Sequence, residues 1–350
     1  MTKPNTELSY TNKLAWSFLV VLTSLYFALA YNTKLIYLNL AVYTQGLSPT
    51  PYQYRALPMF FFRAFVDRPL IVRIAAALPA QFPNPYQLVQ VGFVFFAILG
   101  CVFASYGTLK CLTGDTQFSR WACFLILYMA YFTIIPGWGL NYTYPYDTPS
   151  LFFFCLGIYL IVSPETWKKW IYYAIFPLAV LNRETACFIT LFYLIWEWQK
   201  AREIRTLPSA KTRLILHAIV QAIIWIGVKK ALGHAFAANT AEGALTGAYL
   251  SKKLLFNLKE ILLPQQWSSL ASIYGFLIPA IVIGRKWIQN KGIELSCAII
   301  LPLWIIGMFL VGLVIEIRVF SETASITSLA LALIIYNRFY RPANKELGVS

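Results

Sequence analysis

Four consecutive residues, Asn182, Arg183, Glu184 and Thr185, interrupt an otherwise apolar run from Trp170 to Trp198. A charge at membrane depth costs at least about 2–3 kcal/mol unless it is paired, solvated or close to the interface. An Arg and a Glu in such a run therefore have two uses. They close structural ion pairs, or they belong to a site that handles a polar substrate at a membrane. Neighbours in sequence do not share a helix face, so Arg183 and Glu184 pair with groups other than each other. Three more groups have the same character: Tyr146-Asp147, Glu316-Ile-Arg318 followed by Glu322, and Tyr54-Arg55.

The elements that must carry these residues are apolar. The chain of 350 residues is 59% hydrophobic and 12% charged, with a mean hydropathy of +0.62. Soluble domains carry about 25% charged residues, and a helix needs about 20 mostly apolar residues to cross a bilayer. The pattern predicts an all-α, polytopic integral membrane protein forming a single transmembrane domain over 1–350. About ten spans are expected, at 14–30, 86–112, 121–136, 148–163, 168–182, 185–199, 213–232, 267–284, 293–315 and 321–337. The first run lacks a small-residue cleavage site and is expected to be retained as a helix. Two long outer loops are expected, at 31–85 and 233–266. In the first, 35–43 and Ala56–Val66 are too short to cross and read as amphipathic surface helices. In the second, Leu250–Leu262 reads the same way.

The net charge of +15 does not point to nucleic acid. Lys and Arg gather in short segments on one side, such as Lys110, Arg120, Lys168, Lys169, Arg285 and Lys286. The short connections on the other side hold only Arg183 and Arg318. This is the positive-inside pattern, and it predicts that both termini are cytoplasmic. The chain is expected in the plasma (inner) membrane. The six cysteines form no CxxC pair, so neither a disulfide framework nor a zinc site is indicated.

That topology sends the polar groups to one face. Lys168-Lys169 and Arg202 mark the inner ends of a helical hairpin whose apex is Asn182 to Thr185. Arms of about 15 residues reach roughly 22 Å. The hydrocarbon core is about 30 Å thick, so the apex lies within the outer leaflet. Arg55, Asp147, Arg183, Glu184, Glu316, Arg318 and Glu322 then line one outer pocket. Each also has a structural use. Asp147 or Thr148 caps the helix that follows, with Pro149 in its first turn. Glu184 pairs with Arg318 and Arg183 with Glu316. Arg55 anchors to lipid headgroups, and Tyr142, Tyr144 and Tyr146 form an interfacial belt.

At these residues the chain resembles the polytopic GT-C glycosyltransferase superfamily, closest to its bacterial mannosyltransferase and arabinosyltransferase members. The features that carry the resemblance are the long first outer loop with surface helices, Pro51-Tyr-Gln-Tyr-Arg55-Ala-Leu-Pro58, Tyr146-Asp-Thr-Pro149, Asn182-Arg-Glu-Thr185 and Glu316-Ile-Arg318. The resemblance implies a GT-C-like fold and transfer of a sugar from a polyprenyl-phosphate donor to a glycan or lipid acceptor at the outer face. It implies a carboxylate as general base, for which Asp147, Glu184 and Asp67 are the candidates. It implies cations on the donor phosphate, for which Arg55, Arg183 and Arg318 are the candidates, with Lys252 or Lys253 assisting. Tyr54, Tyr146, Asn182, Glu316 and Glu322 are the candidate substrate contacts. No metal site or cofactor is assigned, and the resemblance leaves room for a divalent cation. Members of the superfamily usually carry an acid early in the first outer loop. Here Tyr31 to Arg63 has none, and Asp67 is the first. The rival readings are a transporter or flippase of a lipid-linked saccharide and a non-catalytic membrane subunit.

Overall fold

The computed structural model describes residues 6–34, 36–78, 84–136, 142–240 and 247–341. Positions 79–83 of the first long loop and 241–246 of the second lie outside the described residues, as do both chain ends. The described elements are helical, with one isolated parallel bridge between Ile36 and Thr143. In chain order they are α1 (Thr6–Asn32), α2 (Leu40–Gln45), α3 (Ala56–Phe65), α4 (Pro69–Ala77), α5 (Pro85–Thr113), α6 (Thr116–Ala122), α7 (Leu125–Ile134) and α8 (Asp147–Val162). There follow α9 (Thr166–Asn182), α10 (Cys187–Glu203), α11 (Leu207–Ala235), α12 (Gly247–Leu262), α13 (Pro264–Ala271), α14 (Ile278–Gly284), α15 (Lys291–Val311) and α16 (Ala324–Ile335).

Four stretches are long and apolar enough to cross a membrane: Asn12–Asn32, Pro85–Thr113, Ala210–Ala235 and Lys291–Val311. They turn apolar side chains outward. Phe18 and Leu22 of α1, Ile215, Leu216 and Ile223 of α11, and Ile306 and Val311 of α15 are all exposed. Polar side chains are packed inside instead, notably Ser325, Thr327 and Ser328 of α16. Continuous apolar surface of this kind suits lipid and would be a liability in water.

Other expected spans are shorter or broken. The 121–136 segment is interrupted between α6 and α7 at Cys123 and Phe124. The 267–284 segment is not one helix. It splits into α13, a turn over Ile273–Phe276, and α14. Tyr274, Gly275 and Phe276 have φ of 56°, 67° and 65°, a left-handed run that no helix can absorb. The freed backbone is held by protein: Tyr274 N donates to Thr133 Oγ1 at 3.2 Å, and Gly275 O accepts from the Tyr128 hydroxyl at 3.2 Å. Irregular backbone at membrane depth is tolerated where protein covers it in this way.

The first long loop does hold short helices. Asn39 caps α2 by accepting from Ala41 N and Val42 N, which starts that helix five residues later than the apolar run suggests. α3 covers Ala56–Phe65, close to expectation. Together with Tyr144 and Tyr146, these helices bury a small apolar core that includes Tyr43, Met59 and Phe62.

The main core joins α1, α5, α7 to α10, α15 and α16. Small residues let α5 and α8 pack closely within it. A Cβ built on Gly100 would lie 2.4 Å from the Phe152 ring, and one on Gly107 would lie 2.5 Å from the Tyr159 ring. Small residues at a helix seam replace a hydrophobic driving force with close contact. Gly107→Leu is expected to destabilise the fold by about 1–3 kcal/mol, because overpacking forces this seam apart. Thermal unfolding in detergent measures it, and a wild-type melting point would remove the seam from this role.

Candidate functional site

The apex of the α9–α10 hairpin is where the sequence places it. Asn182 ends α9, Arg183 is extended at φ −162°, and a 3-10 turn over Glu184–Ala186 leads into α10. Backbone that turns this sharply points successive side chains in different directions. Asn182 Nδ2 donates to Tyr146 O at 3.0 Å and Ser150 Oγ at 2.8 Å, which ties the apex to the start of α8. Arg183 turns inward and Glu184 turns toward α11.

The inner part of the site is a buried ion network. Arg183 Nη1 lies 2.8 Å from Glu322 Oε1 and 3.3 Å from Asp147 Oδ1. Arg318 Nη1 lies 3.1 Å from Asp147 Oδ2, and Arg318 Nη2 bonds Glu316. Thr185 Oγ1 donates to Glu322 Oε1 at 3.1 Å. Asp147 and Glu322 have no exposed surface. The Arg318 guanidinium stacks on the Tyr144 ring at 3.9 Å. Tyr31 holds that tyrosine's backbone, donating to Tyr144 O at 2.8 Å and accepting from Tyr144 N at 3.0 Å.

This corrects two expectations. Asp147 does not cap α8: Tyr146 occupies the cap, and the Asp147 carboxylate serves two arginines instead. The expected pairings of Glu184 with Arg318 and Arg183 with Glu316 do not form. Arg318 takes Glu316, two residues away, and Arg183 takes Asp147 and Glu322. The 3-10 turn over Ile317–Phe320, which Glu316 precedes at the cap position, accompanies the first pairing.

The outer part is more open. Arg55 Nη2 meets Glu184 Oε1 at 3.3 Å, with side-chain exposures of 12% and 34%. The Arg55 guanidinium lies over the Tyr146 ring at 4.3 Å. Lys229 of α11 sits over the rings of Tyr54 at 5.6 Å and Trp225 at 6.0 Å. Trp225 Nε1 donates to Glu184 O at 2.9 Å. Burial pushes the Glu184 carboxyl up, but Arg55, then Lys229 and Arg183, more than offset this and hold it at about 2.

Arg55, Tyr54, Tyr146, Asp147, Asn182, Arg183, Glu184, Glu316, Arg318 and Glu322 thus share one region. Asp67 does not join them: it is exposed on the turn between α3 and α4. Lys252 and Lys253 lie on α12. Lys229, Trp225 and Tyr31 belong to the site and were not read from sequence. Lys229 and Trp225 left a signal, since α11 carries a non-aliphatic residue at every fourth position from Arg213 to Lys229. Asn257 of α12 was also missed. It donates to Phe309 O at 2.9 Å and Gly312 O at 3.1 Å and accepts from Val314 N at 3.0 Å, which fixes the turn leading to Glu316.

Some hydrogen-bonding capacity is unused. Buried Arg55 Nε, Arg183 Nε, Tyr146 Oη and Asn182 Oδ1 bond none of the described residues. Buried polar atoms in that condition call for water or a ligand. Among the described residues no group of three or more His, Cys, Asp or Glu side chains is placed to hold a metal ion. Beside the network, an apolar cavity of about 220 Å³ lies between α14, α15 and α16, lined by Ile281, Val282, Trp304, Phe309, Val314 and Phe320 among others. The chain matches no protein-family model, no curated protein and no solved structure.

Proposed function

We propose that the chain is a polytopic membrane glycosyltransferase of GT-C type with about ten spans, and that it transfers a sugar from a polyprenyl-phosphate donor at the outer face. The observation that carries this reading is the Arg55–Glu184 pair. There a cation meets the most exposed carboxylate of the charged region, and Arg55 Nε is left unused.

The chemistry needs an anion site and a base. In the resting pair each neutralises the other. A donor phosphate competes for Arg55, with Lys229 as the second cation at that point. Once Arg55 turns to the phosphate, Glu184 loses the strongest influence holding its carboxyl near 2, and its proton affinity rises. It can then accept a proton from the acceptor hydroxyl. Asp147, Arg183, Arg318 and Glu322 are sealed from solvent and act as the frame that fixes the apex. The apolar cavity beside Phe320 suits an isoprenoid chain.

Incubation of purified protein in detergent with radiolabelled polyprenyl-phosphate hexoses and pentoses tests the reading. Transfer of label to a lipid or glycan acceptor is the expected result. Binding of donor without transfer from any of them would leave a non-catalytic subunit as the better description. That second reading draws on one observation: every arginine of the region already has a carboxylate partner.

A further inference from the structure

A cleft of about 680 Å³ lies between α10, α11 and α15, at the end of α10 away from the hairpin apex. Residue spacing builds it. Leu194, Trp198 and Arg202 follow at four-residue intervals on α10, and Lys211, Leu214 and Ala218 at three and four on α11. Residues so spaced share a helix face. Leu295 and Ile299 of α15 line the third side. Arg202 and Leu194 are eight positions apart, roughly 12 Å along the helix. That is less than half of a hydrocarbon core of about 30 Å, so the lined part of the cleft is shallower than one leaflet.

The lining divides by chemistry. Its deep part is apolar, and Trp198, one turn from Arg202, is of the type that sits at headgroup level. Its charged residues are both cations, Arg202 and Lys211, and both are exposed. Neither side chain forms an ion pair or hydrogen bond with a described residue. The carboxylates at these helix ends are engaged elsewhere. Glu197 takes Lys169 at 2.8 Å and Arg213 at 3.3 Å. Glu294 takes Lys291 at 2.7 Å and Arg285 at 3.0 Å. Glu203 accepts from Gln199 Nε2 at 3.2 Å. Two cations thus stand over an apolar slot with their charge uncompensated.

We propose that this cleft binds one anionic phospholipid, with its phosphate on Arg202 and Lys211 and an acyl chain along Leu194, Leu214, Ala218 and Ile299. The two parts of the cleft match the two parts of such an amphiphile. A guanidinium fork bonds two phosphate oxygens at once, and the lysine ammonium adds a point charge. A headgroup that also carries an ammonium gains less, because it meets two cations and no free carboxylate. Inorganic phosphate gains nothing from the apolar walls. Ile215, which lines the cleft, is exposed together with Ile219 one turn further, so the slot opens on the lipid-facing flank of α11. Basic pockets between membrane helices suit anionic headgroups for these reasons. The cleft lies at the opposite end of α10 from the Glu184 pocket, and the inference does not depend on sugar transfer.

Native mass spectrometry of the delipidated full chain tests it, with dioleoyl phosphatidylglycerol, dioleoyl phosphatidylcholine and glycerol phosphate as probes. One phosphatidylglycerol is expected to bind about tenfold more tightly than phosphatidylcholine with the same chains, and far more tightly than glycerol phosphate. Arg202→Gln and Lys211→Gln are each expected to weaken that binding about fivefold, the usual contribution of one cation at an anionic lipid surface. Ala218→Trp fills the apolar part and keeps both cations, and a loss of about the same size is expected. Lys110→Gln, at an exposed cation of α5 outside the cleft, is expected to change nothing. Equal affinity for the two phospholipids overturns the proposal, as does unchanged affinity in both Arg202→Gln and Lys211→Gln. An equal loss in Lys110→Gln would mark general surface attraction and overturns it too. Glycerol phosphate binding as tightly as the lipid, or full binding in Ala218→Trp, would take the acyl chain out of the cleft and overturns it likewise.

Discussion

Asp147→Ala is expected to destabilise the folded chain by about 3 kcal/mol, the cost of leaving buried guanidinium donors without an acceptor. Asp147 has no exposed surface, and its two oxygens take Arg183 at 3.3 Å and Arg318 at 3.1 Å. Removing it leaves Arg183 with Glu322 and Arg318 with Glu316, in a space that water does not reach from the described surface. The two guanidiniums then face each other without the anion that separated them. Asp147→Asn keeps the shape and loses the charge, so a smaller loss is expected. The double variant Asp147→Leu with Arg318→Met removes the stranded guanidinium donors and leaves only the partly exposed Glu316 without its arginine, so it is expected to be more stable than Asp147→Ala. Thermal unfolding of the three variants in one detergent measures the series. If Asp147→Ala melts with the wild-type chain, the network is not what holds the apex.

Glu184→Gln is expected to have the opposite profile. Sugar transfer is expected to fall by about 10²–10⁴-fold, the usual contribution of a general base. Stability is expected to change by less than about 1 kcal/mol, since the Arg55–Glu184 pair is partly exposed and Gln still offers Arg55 an oxygen. The acid limb supplies a second readout. A carboxylate held near 2 contributes stability above the usual carboxylate range and loses it as pH falls toward 2. Glu184→Gln lacks that contribution at every pH, so the difference between the two proteins is expected to vanish in acid. Wild-type transfer in the variant would remove Glu184 from the chemistry. Collapse of the fold would assign it to the frame instead. Asp147 and Glu184 thus separate the structural and chemical uses of one charged region.

Much of this region was legible before any coordinates. The hairpin apex at Asn182 to Thr185, the surface helix over Ala56–Phe65 and the amphipathic α12 follow from apolar runs and their interruptions. Such signals are local, because a turn or a span is decided by residues within one or two helical turns of each other. The break at Tyr274–Phe276 was not legible. Its left-handed backbone depends on Thr133 and Tyr128, which are distant in sequence. Asp67 shows the same limit: its residue type matches the chemistry, but its turn leaves it on the surface.

By itself the sequence determined that the chain is apolar and helical, that the Asn182 to Thr185 apex carries charge, and which residue types could meet there. Hydrophobic periodicity and the cost of charge at depth are enough for that. Only the tertiary structure decided which charges pair. Arg183 and Asp147 are 36 residues apart and Arg318 and Asp147 are 171 apart, so no local pattern encodes their contact. The packing of α8, the hairpin apex and the Ile317–Phe320 turn sets those distances. It seals Asp147 between two arginines and leaves Glu184 beside Arg55 at the open edge.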